Sequence, residues 1–118
     1  MRIFCGNTQV FATALSAAFL CTTPALPQND AIAEIAGDAT AGENVYQSVC
    51  RNCHGPTGAG MASFPKLAGN ESEYLIERLA QYRAGERIGP NSALMWPLVE
   101  DFSDQDIADI VAYISETF

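Results

Sequence analysis

Five consecutive residues, Cys50-Arg51-Asn52-Cys53-His54, limit this chain more than anything else in it. Two thiols separated by two residues, with an imidazole directly after the second, form the C-x-x-C-H pattern of covalent haem attachment. The two sulfurs add to the two porphyrin vinyl groups as thioethers. The two-residue gap at a helix end sets the separation those groups need. His54 then reaches the iron from the tethered face. A zinc site would need four ligands, and the chain has one His and only two Cys outside its N-terminal segment. A thioredoxin-like redox pair would sit in a βαβ context, whereas the pattern downstream is helical.

The N-terminal segment settles which cysteines count. Met1–Arg2 is a basic tip, Val10 to Leu20 is a short apolar run, and Thr22-Thr23-Pro24-Ala25 breaks it. That order reads as a secretory signal peptide over residues 1–25, cleaved after Ala25 or alternatively after Ala33. The run is shorter than the ~20 apolar residues a bilayer span needs, so no stable membrane span is expected after cleavage. A lipoprotein signal would put a small residue before Cys21, where Leu20 stands. Cys5 and Cys21 leave with the signal, and Cys50 and Cys53 remain. The expected location is the periplasm or another exported compartment.

With 118 residues, the chain allows one domain. Residues 26–38 read as a flexible lead-in and 39–118 as the folded unit, small enough to need a staple such as a cofactor. Six basic residues against fourteen acidic ones give a net charge of −8. That excludes nucleic acid, whose phosphates call for a basic patch, and favours partners with basic surfaces.

Three helices stand out. Thr40 to Val49 carries Gly42 and Tyr46 on one face and Val45 and Val49 on another; Asp38 or Thr40 caps it. Glu71 to Ala84 places Leu75, Leu79 and Tyr82 at i, i+4 and i+7, and Gly85 is the natural stop. Ser103-x-x-Asp106 is a capping box with Asp in place of Glu. Ile107, Ile110, Val111 and Ile114 then give the amphipathic run to about Glu116. His54 to Gly60 is a turn-rich loop, and Gly89 to Asp101 reads as irregular. No alternating strand pattern is present, so the fold class is all-α.

From Ala41 to Phe118 the chain resembles the class I cytochrome c family, in particular its small bacterial monohaem members. The matching pieces stand in the family's order: Gly42 and Tyr46, CRNCHG, a Gly-rich loop, FPKLAG, an Arg-Ala-Gly-Glu-Arg helix end, a Met-bearing loop and FSDQDIADIVAYI. The resemblance implies three main helices and loops around one covalent haem c, with Gly42 and Tyr46 meeting the last helix near Tyr113. It also implies that Pro65 offers its carbonyl to the other ring nitrogen of His54.

The sixth iron position has two candidates left after the signal, Met61 and Met95. Met61 lies seven residues after His54, in the loop leaving the same haem face. Met95 has enough chain before it to cross to the other face, and the resemblance puts the family's Met at this place. Met61 reads instead as a gap-filling side chain. Leu67, Leu94, Trp96, Ile107 and Ile110 are candidate pocket walls, and Arg83, Arg87 and Asn91 candidate propionate partners. With His54 and Met95 filling both axial positions, the expected function is a soluble one-electron carrier working with redox protein partners, not an enzyme. One alternative is a cytochrome subunit of a periplasmic dehydrogenase or oxidase complex. The other is a ligand-sensing or peroxidatic haem protein.

Overall fold

A computed structural model describes residues 28–118; the signal segment lies outside them. The elements in chain order are α1 (Gln28–Ala33), α2 (Ala39–Val45), a π-helical turn (Tyr46–Cys50), α3 (Arg51–His54), α4 (Ser72–Arg83), α5 (Ser92–Val99) and α6 (Asp104–Thr117). Among the described residues the only β pairing is an isolated bridge between Met61 and Phe64. No described helix is long and apolar enough to cross a membrane.

The crossing of α2 and α6 is the centre of the fold. A Cβ on Gly42 would collide with the Asp109 carbonyl, so only a glycine lets the two backbones approach this closely. One turn on, Tyr46 is fully buried and packs its ring 5.3 Å from Tyr113 and 5.3 Å from Phe118. The expected meeting of Gly42 and Tyr46 with the last helix is therefore present. The Tyr46 hydroxyl donates to the Gly55 carbonyl at 2.7 Å, and burial pushes its phenol above the usual range. This bond fixes the backbone immediately after His54 to the helix crossing.

The helix ends follow their sequence signals. Asp38 caps α2 by accepting from the N–H groups of Thr40 and Ala41. Ser103 and Asp106 form the capping box of α6. Gly85, at φ +75°, closes α4: its N–H reaches Tyr82 and that of Glu86 reaches Gln81, the paired bonds of a Schellman stop.

Two segments depart from the sequence reading. Within the stretch expected to be a flexible lead-in, residues 28–33 form α1, and Ile32 is fully buried in the main core. Its apolar side chain finds a ready seam where α4 and α6 meet. The Gln105 side chain donates to Ala36 O at 3.0 Å, and the Asp38 N–H donates to Asp109 Oδ1 at 2.7 Å. The second departure is α5, which lies inside the segment read as irregular. Pro97 sits within it and removes the N–H that would bond to Ala93. The helix persists because its first turn is held from outside.

Candidate functional site

A cavity of about 330 Å³ opens between the elements, within the size range of cofactor pockets. Cys50 and Cys53 enter it from the π-helical turn and α3, and His54 from the end of α3. Ile110 and Ile114 of α6 back it, and α4 and α5 supply the remaining helical wall. The π turn explains how one rod serves two faces. One extra residue in a turn rotates everything downstream by about 100° relative to an unbroken α-helix. Gly42 and Tyr46 therefore face α6 while Cys50 and Cys53 face the cavity. The sequence reading expected an unbroken helix here, and the side-chain pattern carries no signal for the change.

His54 is 6% exposed. Its Nδ1 lies 2.8 Å from the Pro65 carbonyl oxygen. A carbonyl only accepts, so this nitrogen carries the proton and Nε2 keeps its lone pair for a metal. The intervening loop is shaped for that contact. Gly60, at φ +80°, donates to His54 O at 2.9 Å, and a Cβ there would meet Phe64 O at 2.7 Å. Leu67 and Ala68 both donate to Gly58 O, closing the loop.

Met95 lines the cavity from α5; Met61 is 46% exposed and does not line it. Ser92, at the start of α5, is 2% exposed. Its hydroxyl accepts from the N–H groups of Ile88 and Gly89 and donates to Gly89 O. Asn91 donates to Ser63, joining the Met95 side of the mouth to the Pro65 loop.

Of the candidate walls, Leu67, Leu94 and Ile110 line the cavity; Trp96 and Ile107 do not. Trp96 instead donates its indole N–H to Glu86 O at 3.0 Å, with the Arg87 guanidinium over its ring. Ile107 is fully buried in the main core. Arg83 is paired with Asp104 at 2.7 Å and also donates to Phe102 O. Neither Arg83 nor Arg87 lines the cavity; Asn91 does.

The residues present suit a large apolar group with a thiol-reactive edge. Five large hydrophobic side chains are exposed among the described residues, and four of them, Tyr74, Ile88, Leu94 and Leu98, line the cavity. A macrocycle seated there would cover them. Cys50 and Cys53 are separate thiols rather than a disulfide. Burial pushes the Cys50 thiol up to about 11, so without the group it stays protonated at neutral pH. Among the described residues no three His, Cys, Asp or Glu side chains gather to hold a bare metal ion.

Known proteins resemble this chain in sequence and in fold. Residues 39–118 match the family model described as "Cytochrome c". Cytochrome c-554(548) of Halomonas halodenitrificans is 48% identical over 81 residues, covering 68% of this chain and 96% of that protein. Cytochrome c4 of Azotobacter vinelandii is 40% identical over 91 residues, covering 71% of this chain and 43% of that one. A solved structure of cytochrome c4 from Acidithiobacillus ferrooxidans superposes with a TM-score of 0.59 at 30% identity, covering 70% of this chain. The present chain spans about half of that longer one (51%).

Proposed function

The chain belongs to the cytochrome c family, and on that premise we propose that it is an exported one-electron carrier whose haem iron is held by His54 and Met95. Family membership makes it an electron-transfer protein with one covalent haem c at the Cys50–Cys53 spacing. The bound haem supplies an Fe(III)/Fe(II) couple.

The chain's own residues do the rest. Cys50 and Cys53 hold the macrocycle edge. His54 presents Nε2, fixed in tautomer and direction by Pro65. Met95 offers its thioether from the α5 wall, a ligand pairing that raises the potential. The apolar lining excludes water and limits the charge reorganisation that accompanies electron transfer. The single observation that carries this reading is the convergence of both thiols, a Pro65-fixed imidazole and Met95 on one cavity.

The same structure supports one of the two cleavage sites. Cleavage after Ala33 would remove Ile32 from the core, whereas cleavage after Ala25 keeps α1 whole; α1 therefore supports a mature chain beginning at Leu26. Periplasmic redox proteins are the proposed donors and acceptors.

Exposure of the reduced protein to carbon monoxide at neutral pH tests the closed axial position. The expected result is little or no binding. Rapid binding would replace the carrier with the sensing or peroxidatic reading. A second polypeptide that always copurifies in fixed proportion would make the chain a subunit of a larger complex.

A further inference from the structure

We propose that Asn91 is a positioning residue whose amide latches the Met95 side of the cavity mouth to the His54 loop and sets how readily the Met95 thioether leaves the iron. The role rests on the His54–Met95 reading above. Asn91 is the N-cap residue of α5, where an Asn side chain ordinarily accepts from an N–H of the first turn. Here it makes no such bond. Its Nδ2 reaches across the mouth instead and donates to Ser63 O at 3.3 Å and to Ser63 Oγ at 3.1 Å. A helix of eight residues with Pro97 inside has few bonds to spare, so a forgone cap points to a use elsewhere.

The other side-chain bonds that hold α5 do not cross the mouth. The Ser92 hydroxyl binds Ile88 and Gly89, and the Trp96 indole donates to Glu86 O. These partners lie in the segment leading into α5 and move with it. Among the described residues, the Asn91–Ser63 pair is the one hydrogen-bonded link between residues 55–70 and residues 86–102. When α5 and its lead-in swing outward in a local opening, this link is the one that must part.

Each end of the link lies close to the support of one iron ligand. Asn91 precedes Met95 by four residues, about one helical turn, so the two share a face of α5. Ser63 lies two residues before Pro65, whose carbonyl fixes His54. The turn that presents Ser63 has an uncommon shape. Ala62 is the one non-glycine residue at positive φ (+50°) among the described residues, and the Phe64 N–H donates to Met61 O at 2.8 Å. Such a conformation persists where its surroundings impose it. Asn91 thereby ties the support of one axial ligand to that of the other.

The test is stopped-flow binding of imidazole to the ferric, mature, haem-loaded protein, where the limiting rate at high imidazole reports the departure of Met95. Wild type is compared with Asn91→Ala, Asn91→Ser and Ser63→Ala. The far-red band of Met-ligated ferric haem and the melting temperature are recorded for each. Asn91→Ala is expected to raise the limiting rate about two- to tenfold, the range that one neutral hydrogen bond supplies. Asn91→Ser can cap α5 but is too short to span the mouth, so it should keep the melting temperature and still bind imidazole faster than wild type. Ser63→Ala, which retains the carbonyl, should give a smaller rise. A wild-type limiting rate in Asn91→Ala overturns the proposal. So does a wild-type rate in Asn91→Ser, which would make Asn91 a helix cap alone, or a wild-type rate in Ser63→Ala, which would remove Ser63 as the partner. Absence of the band in wild type overturns the Met95 reading itself, which sets that failure apart.

Discussion

At Ser103 a single hydroxyl serves two partners: it donates to Asp106 Oδ2 at 2.6 Å and accepts from the Asp106 N–H at 3.1 Å. The hydroxyl, helped by the Ser103 N–H at 2.8 Å, holds the Asp106 carboxyl below the usual carboxylate range. A carboxylate with a depressed value in the folded state stabilises the fold above its unfolded pKa and loses that contribution as pH falls through the folded one. Ser103→Ala should cost about 1 kcal/mol at neutral pH, a fall of roughly 4–8 °C in melting temperature for a domain of this size. The gap from wild type should narrow in acid, and melting curves across pH check it; a gap that is constant with pH would contradict the assignment. Residues of this kind, whose role is set by neighbours three or four positions away, were readable in the sequence, as were Cys50, Cys53 and His54. The polar lining of the cavity was not: Asn91 reaches it, while Arg83 and Arg87, equally basic on paper, turned out to be engaged with Asp104 and Trp96.

Among the elements, α4 and α6 were legible because each presents a periodic apolar stripe to one core. α1 was hidden because six residues hold too few periods to register, and its burial depends on a seam formed by helices far along the chain. α5 was hidden by Pro90 and Pro97, since its helical start is held by Ser92 and Asn91 rather than by propensity. The π turn changes helix phase without changing composition. α1 lies outside the 39–118 segment that matches the family, yet Ile32 belongs to the main core. Ile32→Ala should therefore destabilise the protein by about 2–5 kcal/mol, while the visible spectrum stays that of wild type. Thermal unfolding followed by absorbance and circular dichroism reads both quantities. An unchanged melting temperature would show that α1 does not contribute to the fold.

For the whole molecule, the net charge of −8 sets the long-range field while the cavity sets the chemistry. Electron transfer with a basic redox protein should slow as salt rises, because screening shortens the reach of the field to about 10 Å at 0.1 M. Stopped-flow rates across ionic strength measure this, and a rate independent of salt would remove charge steering. All-α class, haem attachment and family were legible from one motif and the helices flanking it; the second axial ligand is the point on which carrier function turns. The most direct test is the far-red band of Met-ligated ferric haem in wild type, Met61→Ala and Met95→Ala. The band should be present in wild type, survive Met61→Ala and vanish in Met95→Ala with haem still attached. Its persistence in Met95→Ala would contradict the assignment of Met95 as the ligand.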